Sequence, residues 1–157
     1  MSLAQREIAL KELERRLWTI TEVNGYSETV QSVERNPGVP VAILPQINVF
    51  EMEDEIQDRL IGGIGRGIFL RRAKIIIEFW LEGVDGDESG DSARVKSFEE
   101  GVRHSLLYDG DKLGNTCEYL EELGSSAIIR PPIGKKAVGR GLTVAIHYND
   151  DKQYAKQ

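Results

Sequence analysis

Between residues 71 and 82 the chain alternates with period two. Ala73, Ile75, Ile77, Phe79 and Leu81 are apolar, while Arg72, Lys74, Glu78 and Glu82 occupy the intervening positions. Successive side chains of an extended chain point to opposite faces, so this pattern predicts a strand with one buried face. Ile76 and Trp80 interrupt the polar face. Either a second layer covers them or they form a subunit contact. A second alternation sets Val41, Ile43, Ile47 and Val49 against Ala42, Gln46 and Asn48; Pro45 lacks a ladder donor and favours an edge or a bulge for that strand. A third sets Leu142, Val144, Ile146 and Tyr148 against Thr143, Ala145 and His147, and predicts a closing strand entered through Gly139-Arg140-Gly141.

The period changes to helical elsewhere. Leu3, Leu10, Leu13, Leu17 and Ile20 fall on one face of a helix over residues 3–20, with Ser2 and Gln5 in capping-box positions. Glu7 with Lys11 and Glu12 with Arg16 stand in the favoured order four apart, so the opposite face reads as solvated. Val95, Phe98, Val102 and Leu106 predict a second helix over 92–107. Gly101 inside it costs about 1 kcal/mol against Ala, which points to a close neighbour there. Residues 28–35, between Asn24-Gly25 and Asn36-Pro37-Gly38, form a weaker strand expected at a sheet edge.

The order predicts an α+β fold: a mostly antiparallel sheet packed against an N-terminal helix and a central helix, with long extended loops at 52–67 and 83–91. Residues 1–148 read as a single domain and 149–157 as a polar tail expected to fray.

Composition narrows the function. The 26 acidic and 20 basic residues give a net charge of −6, against a general or sequence-specific nucleic-acid binder. The single Cys117 makes no internal disulfide, and the first residues lack the apolar core of a signal peptide, so synthesis in a reducing cytoplasm is expected. Apolar runs fall far short of the ~20 residues needed to span a bilayer, so no membrane insertion is expected.

Candidate chemistry is sparse. Gly62-Gly63-Ile64-Gly65-Arg66-Gly67 precedes a strand, whereas a phosphate cradle needs a helix N-terminus after it. Residues 134–141 have P-loop glycine spacing, but Arg140 and Gly141 stand where Lys and Ser or Thr belong. His104 and His147 are the only histidines, too few with one Cys for a thiolate-rich zinc set. His104 beside Ser105 lacks a nucleophile elbow. Asp85, Asp87, Glu88 and Asp91 lack the twelve-residue calcium pattern. No cofactor, metal or catalytic set is therefore expected. What remains is charge segregation: Glu51, Glu53, Asp54, Glu55 and Asp58 form an acidic block, and Arg66, Arg71, Arg72 and Lys74 a basic one.

An amphipathic N-terminal helix, a strand entered through Pro45, a long strand, a second helix, the Leu113-Gly114 turn, an irregular linker with Pro131 and Pro132, and a closing strand ending in Tyr148 follow in that order. This order resembles the tail terminator proteins of tailed phages. The resemblance implies a non-enzymatic virion protein of the tail-neck region: a homo-oligomer, a hexameric ring, that caps the tail tube, stops its polymerisation and joins it to the head connector. Its partners would be the tail tube protein and head-tail connector proteins. In such a ring the acidic block of one subunit could face the basic block of the next, with Ile56, Leu60, Ile61 and Trp80 supplying apolar contact. Another neck or head-tail joining component is the alternative within that class. A small hydrolase or nucleotide-binding enzyme is the alternative outside it.

Overall fold

Apolar faces on two helices and one sheet meet in a shared core. The computed structural model describes residues 4–38, 43–61, 68–84, 88–129 and 136–149, with side chains throughout except at 58–61 and 68–69. The elements are α1 (Gln5–Trp18), β1 (Ser32–Arg35), β2 (Gln46–Ile61), β3 (Ile68–Glu82), α2 (Glu88–Leu107), β4 (Tyr119–Ser125) and β5 (Ala137–Asn149). The strands form one five-stranded sheet in the order β1-β2-β3-β5-β4. β1 pairs with β2 in parallel, and every other neighbouring pair is antiparallel. The fold is α+β, with the mostly antiparallel sheet packed against the helices.

The expected phasing of β3 holds. Ala73, Ile75, Ile77, Phe79 and Leu81 are buried, as are Leu142, Val144, Ile146 and Tyr148 of β5. On them sit Leu10, Leu13 and Leu17 of α1, with Ile20 beyond it, and Val95, Phe98, Val102 and Leu106 of α2. The Phe79 and Phe98 rings lie 5.5 Å apart, tilted by 40°. Each such side chain contributes roughly 1.5–3 kcal/mol on burial, which makes this layer the main source of stability. Gly101 has the close neighbour its position implied: a Cβ there would stand 3.1 Å from Cδ1 of Tyr26.

Several expectations are corrected. α1 begins at Gln5 with Ala4 at its cap and no side-chain cap bond, and Ser2 lies outside the described residues. The helix ends before Ile20 because Thr19 folds back, its N–H and Oγ1 both donating to the Arg16 carbonyl, at 3.0 and 2.6 Å. α2 starts four residues earlier than expected, at Glu88. β1 does occupy an edge, as its weak pattern implied. β2 is interior, not an edge, because Pro45 lies ahead of the strand, where its carbonyl accepts the Gln31 N–H at 2.9 Å. Val41 falls outside the described residues, and Ile43 lies exposed before β2.

The largest correction concerns residues 52–67. β2 continues to Ile61 and pairs with β3 as a long hairpin, so residues 52–61 of the expected loop are strand, while 62–67 lie outside the described residues. Three register shifts in this pairing break the alternation, and acidic residues stand at many of the positions, so the polar pattern resembled a loop. β4 replaces part of the irregular linker expected after the Leu113-Gly114 turn. As an edge strand it buries little beyond Leu120, so its period-two signal is weak. Gly139 and Gly141 lie within β5, not ahead of it, and Asn149 closes that strand.

Candidate functional site

The register of the β2–β3 hairpin decides what the charge blocks do. Glu55 stands opposite Arg72 and Ile56 opposite Arg71. The acidic and basic blocks are therefore neighbours within one chain. Lys74 Nζ lies 3.4 Å from Glu53 Oε1. Arg72 Nε lies 3.9 Å from Glu121 of β4, whose Oε1 is also 2.9 Å from His147 Nε2. Tyr119 stacks on His147 with centroids 4.0 Å apart. Asp54 is held on two sides: Arg6 Nη1 donates to its Oδ2 at 2.9 Å and Tyr148 Oη donates to the same oxygen at 2.6 Å. Burial, then this hydrogen bond to Asp54, pushes the Tyr148 phenol well above its ordinary pKa. Glu51 is engaged by Asn36, which donates from Nδ2 at 2.7 Å and accepts the Glu51 N–H at 2.9 Å.

Lys74 and Arg72 already have carboxylates of their own chain. What the hairpin leaves toward solvent is Glu53, Glu55, Met52 at 49% exposure and Ile56 at 55%. The side chains of Asp58, Leu60 and Ile61, and all of Arg66, lie outside the described residues.

Trp80 is 7% exposed, and the chain itself covers it. Its ring lies on Gly139 of β5, its cross-strand partner, where an added Cβ would stand 2.7 Å from the ring and 2.5 Å from the Phe79 carbonyl oxygen. Trp80 Nε1 donates to Glu78 Oε1. The tryptophan is thus a cover for the sheet's second face, not an interface anchor. Ile76 is half-buried and rests near Gly141.

The enzymatic candidates are dispersed. Ser105 is buried and donates from Oγ to the Val102 carbonyl at 2.8 Å, while the neighbouring His104 is exposed with its ring against Tyr26. Adjacent residues of a helix point apart, so the two do not form a nucleophile and base. Asp91 is buried and accepts the Val84 N–H at 3.1 Å, a loop-capping role. Burial, reinforced by Asp111, pushes the Cys117 thiol up to about 12, so it is an inert packing group. Among the described residues no cluster of His, Cys, Asp and Glu could hold a metal ion. Among them too, no helix is long and apolar enough to cross a membrane.

One functional-looking cluster escaped the sequence pattern. Arg16 is 1% exposed and ties α1 to the end of α2. It donates to Glu12 at 2.9 Å, to the Leu106 carbonyl at 3.1 Å, and through two nitrogens to Asp109 at 2.7 and 2.9 Å. The pair four residues apart looked like a solvated helix pair. Asp109, ninety-three positions away, is what makes it a buried clasp.

Comparison with models of known protein families finds no matching family, and comparison with curated proteins finds no match.

Proposed function

We propose that the chain is a structural virion subunit of the tail-terminator type, acting as a ring that caps the tail tube, stops its growth and meets the head connector. The observation that carries this reading is the β2–β3 hairpin. α1 reaches it at Asp54 through Arg6, and β2 continues to Ile61, so a two-stranded arm runs on with Met52, Glu53, Glu55 and Ile56 toward solvent. An arm of that kind suits contact between subunits or with a tube. Support also comes from the element order: α1, a strand following Pro45, the long β3, α2, the Leu113-Gly114 turn and β5 with Tyr148 near its end. Leu113 and Gly114 both have positive φ, 46° and 62°, a tight reversal leading back to the sheet.

Growth of tail tubes in the presence of the chain tests the function. Tubes are expected to stop lengthening at sub-stoichiometric amounts of the chain, with density added at one end in electron micrographs. Tubes that lengthen unchanged, with bare ends, would refute the terminator role.

A further inference from the structure

We infer that the outward stripe of α1 is the surface that receives the acidic hairpin of a second copy of this chain. The inference rests on the ring reading and names the contact within it. Residues 4, 8, 11, 15 and 18 share one helical face, and they are the positions α1 turns away from the core: Ala4, Lys11, Arg15 and Trp18 are exposed and Ile8 is half-buried. This stripe holds two cations and no acid. Arg15 stays 54% exposed although it bonds Glu12, and among the described residues Lys11 makes no ion pair. Trp18 leaves 49% of its surface to solvent, and Tyr108, with the Arg16 guanidinium 4.8 Å above its ring, is 58% exposed close to the same end of the helix. An exposed Trp and Tyr beside an Arg is the composition of interface anchors, not of an idle helix face.

The occupant follows from charge and reach. From Glu51 to Gln57 the β2 strand of the hairpin has four acidic residues and no basic one; Glu53 and Glu55 stay exposed although Lys74 and Arg72 stand on the paired strand, and Met52 and Ile56 face solvent beside them. Carboxylates would meet Lys11 and Arg15, and the two apolar side chains would meet Ile8 and Trp18. The chain's own hairpin meets α1 at Arg6, about 18 Å along the helix from Trp18, so a second copy is the natural donor. Because the stripe and the hairpin are different surfaces, the contact is head to tail, the arrangement that closes into a ring when its rotation allows.

Light scattering over a concentration series is the test, on wild type, Trp18→Ala, Lys11→Glu and, as a control off the stripe, Val23→Ala. Both stripe variants are expected to keep the wild-type circular dichroism and melting temperature and to associate at least about tenfold more weakly, while Val23→Ala matches wild type. A second arm mixes Trp18→Cys with Ile56→Cys chains and adds a bismaleimide; crosslinked dimers are expected from the mixture and not from either variant alone. An oligomeric wild type unmoved by both stripe substitutions overturns this contact and leaves the ring reading standing. A wild type that stays monomeric, alone and with tail tubes, overturns both.

Discussion

Arg16 shows how one buried side chain ties α1 to the end of α2. Its charge is fully buried, and it is tolerated because Glu12, Asp109 and the Leu106 carbonyl occupy its donors. Arg16→Ala leaves Glu12 buried beside Arg15 alone and frees the end of α2; a loss of about 3–5 kcal/mol is expected from urea unfolding. The carboxylates also set an acid limit. Burial alone would raise the Glu12 pKa, but hydrogen bonds from Arg15 and Arg16 more than offset it and hold it below 4.5; for Asp109 the Arg16 hydrogen bonds dominate and hold it below 3.8. Groups with depressed folded pKa values stabilise the protein above their ordinary values and lose that contribution as pH falls through the depressed ones. The melting temperature is therefore expected to fall steeply only below about pH 4. Asp109→Asn should lower the neutral-pH value and flatten that fall, and a variant with an unchanged acid slope would contradict the assignment.

At the scale of elements, β3 and β5 are the frame. Their phasing was legible in the sequence because both strands bury one continuous apolar face, and Ile77→Asp or Val144→Asp, each placing a carboxylate in the core, is expected to unfold the protein by circular dichroism. Their second faces were not legible. Ala145 and His147 of β5 are buried as well, His147 beneath Tyr119 of a strand whose own pattern is nearly flat. Gly139 looked like a hairpin end but is a strand position on which Trp80 lies. Gly139→Ala must displace the indole or the Phe79 carbonyl, so a destabilisation of about 1–3 kcal/mol and a red shift of tryptophan fluorescence are expected. A variant as stable as wild type would show that the sheet accommodates the methyl group. The register shifts of β2 hid the hairpin for a related reason, since a strand that lacks strict alternation and carries acids has no single-sequence signal.

At the scale of the molecule, the separation of acidic and basic blocks was visible in the sequence, but their meaning depended on a pairing between residues some twenty positions apart. Glu53 meets Lys74 and Glu55 stands opposite Arg72, so the two blocks face one another across the hairpin of a single chain. Exposed ion pairs contribute only ~0–1 kcal/mol each, so Lys74→Glu is expected to change the melting temperature little, and salt to affect association more than folding. The reading as a structural subunit also carries an expectation for ligands. A ligand at 100 times its dissociation constant stabilises by ~2.7 kcal/mol, so nucleotide, magnesium, calcium or zinc should leave the melting temperature unchanged. A shift of several degrees with any of them would favour an enzyme. The most direct measurement is the mass of the wild-type chain by light scattering across a concentration series, alone and with tail tubes, with imaging of any assembly. A ring of six copies, free or seated on tube ends, is the expected result; a monomer that neither self-associates nor binds tube ends would contradict the account.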